Sequence, residues 1–105
     1  MANPWAGEVS LTIDGEARTL KLTLGALAEL EAGLGEGSLV ELVRRFEANA
    51  FSSRDIILLL EAGLRGGRHA LPDGGLADAE IAGGPMAAAR AAAELLARAF
   101  VVPDT

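Results

Sequence analysis

The chain contains no cysteine. That excludes disulfides, thiolate metal ligands and a thiol nucleophile. Tyrosine is absent too, and the aromatics are three phenylalanines and one tryptophan, so a core must be built from many Leu, Val and Ile contacts. No apolar run approaches the roughly 20 residues of a membrane span. Positive charge is scarce: nine Lys and Arg stand against fifteen Asp and Glu, for a formal net charge of −6. Nucleic-acid binding rests on a basic face that neutralises phosphate. Arg44, Arg45 and Arg54 offer a local basic cluster, but against this balance they read as solvated helix-surface arginines. His69 is the single histidine. It lacks the nucleophile and orienting partner that a catalytic base needs, and alone it makes no histidine metal site. The sequence thus predicts no nucleic-acid or membrane partner, no cofactor, no metal and no enzyme. Met1 to Gly7 has neither the positive n-region nor the apolar h-region of a secretory signal, so a cytoplasmic location is expected.

What the sequence does contain is one domain's worth of patterned residues, 105 in all and 50% hydrophobic, much of that alanine. Val9, Leu11 and Ile13 alternate with Ser10 and Thr12, and Leu20 and Leu22 alternate with Thr19, Lys21 and Thr23. Between them Asp14-Gly15 is a strong hairpin signal. A two-residue loop pairs Ile13 with Glu16 and Val9 with Leu20; a four-residue loop pairs Leu11 with Leu20. Either register puts the apolar residues on one face. A lone hairpin is marginal in water, so that face must sit on helices.

Five helical segments follow. Thr23 caps the first, with Leu24, Leu27, Ala28, Glu31 and Leu34 at helical spacing and Gly33 and Gly35 as stops. Ser38 and Glu41 have the form of a capping box for the second, which carries Leu39, Leu42, Val43 and Phe46 and stops near Asn49. Ser52 to Asp55 opens the third in a similar way. Its stripe of Ile56, Leu59, Leu60, Gly63 and Leu64, with Ile57 and Leu58 beside it, marks it as the central helix. Gly66-Gly67 ends it. Leu76 to Ala82 makes a short fourth helix, and Pro85 suits the first turn of the last, where Met86, Ala89, Ala93, Leu96 and Phe100 recur at spacings of three and four. The expected fold is α+β: an N-terminal two-stranded antiparallel β-hairpin (about 8–23) packed on a bundle of about four to five α-helices (about 24–34, 38–48, 53–65, 75–82 and 85–101), one domain over 1–105.

The remaining motifs carry little chemistry. The glycines of 63–67 and 33–37 lack the Lys-Ser/Thr ending of a phosphate loop and follow helices, not strands. Carboxylates are spread one or two per helix, and Glu29 and Glu31 point to different faces. Trp5 reads either as a staple folding the N-terminus onto the hairpin or as an anchor for a partner. Phe100, Val101 and Val102 form an apolar end with little polar cover. They pack on the core or are held for a partner or a like subunit. Trp5, Met86, Leu96, Phe100, Val101 and Val102 are therefore the candidate partner-binding residues.

Two stretches carry a family resemblance. Asn3-Pro-Trp-Ala-Gly-Glu-Val-Ser-Leu-Thr-Ile-Asp-Gly15 and Leu20-Lys-Leu-Thr-Leu-Gly-Ala-Leu-Ala-Glu-Leu-Glu31 resemble the opening of the small tail assembly chaperones of gene transfer agents and tailed phages, encoded between the major tail protein and the tape measure. Leu64-Arg-Gly-Gly67 is similar to that family's third-helix ending, and an alanine-rich final helix is shared. The likeness runs over nearly the whole length, and its elements are structural. It implies a protein of the bacterial host cytoplasm that binds the tape-measure protein, keeps its apolar stripes soluble, helps recruit tail-tube subunits and is absent from the finished particle. A minor structural tail component or adaptor retained in the particle is the alternative, and self-association is compatible with either.

Overall fold

The computed structural model describes residues 7–34, 39–71 and 75–100. Strands β1 (Glu8–Ile13) and β2 (Glu16–Lys21) pair antiparallel, with Ile13 opposite Glu16 and Val9 opposite Leu20. The turn is therefore the two-residue one. Asp14 and Gly15 both have positive φ, 51° and 81°, the backbone that a type I′ turn requires and that Asp-Gly tolerates. Val9, Leu11, Ile13 and Leu20 are buried on one face.

Helices α1 (Leu24–Gly33), α2 (Leu39–Glu47), α3 (Ser53–Gly66) and α4 (Gly84–Ala99) complete the regular structure. Thr23 caps α1, its hydroxyl accepting from the Ala26 amide at 3.1 Å. Asn49 closes α2 in the left-handed region, with φ 55°. The Ser38 capping box lies outside the described residues. Helix α3 is central: it packs on α1, β2 and α4.

Gly66 and Gly67 serve close packing. Neither has positive φ; Arg68, just beyond, takes that role at 65°. A Cβ on Gly66 would collide with the Lys21 carbonyl oxygen, and one on Gly67 with that of Thr19. One turn earlier, a Cβ on Gly63 would stand 2.9 Å from Leu95 and 3.0 Å from Leu20. A glycine edge of α3 therefore lies against the backbone of β2. His69, two residues beyond Gly67, accepts the Thr19 amide on Nε2 at 3.3 Å.

Three expectations are corrected. Residues 75–82 form no helix; among the described residues there are four. Ile81 instead bridges Ile13, with the Asp14 amide donating to Glu80 O at 2.8 Å and the Ala82 amide to Thr12 O at 3.0 Å. Non-local pairing with the hairpin tip outweighs a weak local helix preference. The buried face of α1 is Ala26 and Leu30, while Leu24 is 85% exposed. In α4 the buried residues are Ala88, Ala91, Ala92, Leu95 and Leu96; of the expected stripe only Leu96 is buried, Ala89 is partly covered, and Met86, Ala93 and Phe100 face outward. An alanine-rich helix carries apolar residues on more than one face, and the large Leu95 and Leu96 decide which turns inward.

Candidate interaction groove

Helix α2 is strongly amphipathic, yet only Leu42 on it is fully buried. Leu39, Val43 and Phe46 are covered in part, and Val40 is 63% exposed. Its apolar side therefore exceeds what the core covers. The excess opens onto the last turns of α4. Val43, Phe46, Glu47, Ala93, Leu96 and Phe100 enclose a hollow of about 320 Å³. A second hollow of about 350 Å³ continues it past Leu39, Val40 and Arg44. Val43, Glu47 and Phe100 belong to both, so the two form one open apolar groove with Phe100 as the shared wall.

The groove's α2 wall is fixed from below. Arg45 grips Asp55 at the start of α3 with two hydrogen bonds of 2.9 and 3.0 Å. Asp55 also accepts the Ser52 amide at 2.9 Å, while the Ser52 hydroxyl accepts the Asp55 amide at 3.1 Å. This capping box satisfies two orphan amides of α3. Burial alone would push the Asp55 carboxyl up. The hydrogen bonds from Arg45 and Ser52, with the guanidinium charge, outweigh it and hold the group below the ordinary carboxylate range; the same bond raises Arg45. Beside the pair, Phe46 stacks on Phe51 with ring centroids 4.5 Å apart.

Residues 6–101 match the family described as "Phage tail tube protein, GTA-gp10". The chain belongs to this phage and gene transfer agent tail family. No curated protein and no solved structure matches it.

In this tail-family protein the groove gathers some of the residues expected to bind a partner and leaves others out. Phe100, 49% exposed, is its wall and Leu96, 4% exposed, its floor. Met86 is 75% exposed but lies about 21 Å from Phe100 along α4 at 1.5 Å per residue. Trp5, Val101 and Val102 lie outside the described residues. The arginines do not act as a cluster: Arg45 is held by Asp55, Arg54 donates to Gly33 O at 3.1 Å, and Arg44 lines the groove. The α2 contribution was missed in the sequence. Its signal was Val40, an apolar residue beside a stripe already wide enough for one buried face. Among the described residues no group of three His, Asp or Glu is placed to hold a metal ion, and no helix is long and apolar enough to cross a membrane.

Proposed function

We propose that this tail-family protein is an assembly chaperone that acts in the bacterial host cytoplasm, binds the tape-measure protein through the α2–α4 groove and promotes tail-tube assembly. The observation that carries the reading is the groove itself. An amphipathic helix docks by setting large apolar side chains from successive turns into an apolar trough. Two adjoining hollows of about 320 and 350 Å³ suit such side chains, and the exposed Val40 and Phe100 flank them. A tape measure is a long helical protein with apolar stripes that need cover before assembly.

The second reading, a minor structural component retained in the particle, is favoured by the family's description as a tail tube protein. Against a wall-forming subunit stands the sheet. Among the described residues it has two strands, and a tube wall of the usual kind uses a larger β-sandwich.

Co-expression with the tape-measure protein encoded nearby, followed by pull-down on this chain, tests the proposal. The expected result is a soluble complex of many copies with a tape measure that is insoluble alone. Phe100→Asp should abolish capture while leaving the circular dichroism spectrum and melting temperature unchanged. No association between two folded proteins, together with stoichiometric presence of the chain in purified particles, would favour the structural role instead.

A further inference from the structure

The groove bears a charge pattern that a client helix does not require. Arg44 and Glu47 both line it and stand three residues apart on α2, on the same side of that helix. Among the described residues neither has an ion-pair partner. Between and beside them lie Val40, Val43 and Phe100, apolar groups that the fold leaves partly open to water.

A surface with one positive and one negative group along a helix is complementary to its own copy when the two helices run antiparallel. Across a two-fold axis any contact of residue i with residue j occurs twice, so Arg44 of each copy meets Glu47 of the other. The apolar residues then cover one another. We propose that the α2–α4 groove is also a pairing surface, through which two copies of this chain form a weak two-fold dimer that masks the groove until a client helix displaces one copy. The pairing stands on the groove's own residues; its displacement by a client rests on the chaperone reading above.

Weakness follows from two features. The patch is small beside a standard interface, and each copy carries a net charge of −6, which opposes association. A weak dimer suits a cover that must come off.

Sedimentation velocity on the whole chain, from low micromolar to near-millimolar concentration, reads the pairing directly. The wild type should shift from monomer to dimer over that range. Arg44→Glu places two acids against each other at both ends of the axis, and Glu47→Arg places two bases. Each variant alone should dimerise about tenfold more weakly or worse. An equimolar mixture of the two restores both attractive pairs, so it should form a heterodimer at wild-type concentrations. Unchanged melting temperatures guard against misfolding as the cause. A wild type that stays monomeric to near-millimolar concentration would overturn the proposal. So would dimerisation indifferent to both charge reversals. Adding a tape-measure fragment captured in the co-expression experiment should convert dimers to client complexes with one chain per site. A client that joins the intact dimer would overturn the masking. If the dimer forms as expected but no tape-measure fragment binds, the chaperone reading fails and the pairing stands.

Discussion

Asp55 is a buried acid whose oxygens are engaged by Arg45 from α2 and by the Ser52 amide. Replacing it with Asn removes the charge that makes the Arg45 bonds strong. A loss of about 2 kcal/mol in urea unfolding is expected. The effect should depend on pH with a definite sign. The folded-state pKa is lowered, whereas the unfolded chain titrates near the ordinary value of about 3.9. The unfolded state therefore binds more protons between the two, and stability rises with pH there. The gap between wild type and Asp55→Asn should be full at neutral pH and shrink as pH falls below about 4; a gap constant down to pH 2 would show that the carboxylate does not carry it. At Gly66 the test is steric. A methyl group there meets the Lys21 carbonyl, a backbone atom that cannot swing aside, so Gly66→Ala should cost about 3 kcal/mol or prevent folding. Gly66 and Gly67 were legible as the end of a helix. Their reason was not, because it lies in a strand more than forty residues earlier in the chain.

At the scale of elements, the parts best read from sequence are those set by neighbours along the chain. Asp14-Gly15 placed the hairpin, though its register stayed open between two, Thr23 and Ser52 marked the helix starts, and Asn49 a helix stop. What escaped depends on distant partners. Leu76 and Ile81 look like the apolar positions of a short helix until β1 is there to pair with. The phase of α4 was ambiguous because alanine is apolar on every side, and the groove between α2 and α4 requires knowing how two helices sit together. Helix α2 also differs from α3 in how it is held. It has one fully buried side chain against six buried residues in α3. Native-state hydrogen exchange should therefore show the α2 amides opening at a lower free energy than those of α3. Equal protection in both helices would mean that the Arg45 grip and the Phe46 stack suffice to join α2 to the core.

For the molecule as a whole, Leu20 is the meeting point. It is fully buried, pairs with Val9 across the hairpin, and lies under Gly63 of α3, where Leu95 of α4 also arrives. Leu20→Ala should cost about 3 kcal/mol while unfolding remains a single transition of unchanged denaturant slope, since one core joins all these layers. The Ile13–Ile81 bridge has its own consequence, which concerns the order of synthesis. The hairpin leaves the ribosome about sixty residues before the segment that covers the edge of β1 at its tip. Until residues 80–82 emerge, the edge of β1 that faces away from β2 has no partner at the Thr12 carbonyl and the Asp14 amide, and neighbouring nascent chains on one message would carry the same bare edge. The short segment before α4 thus completes, later in translation, what the hairpin turn began.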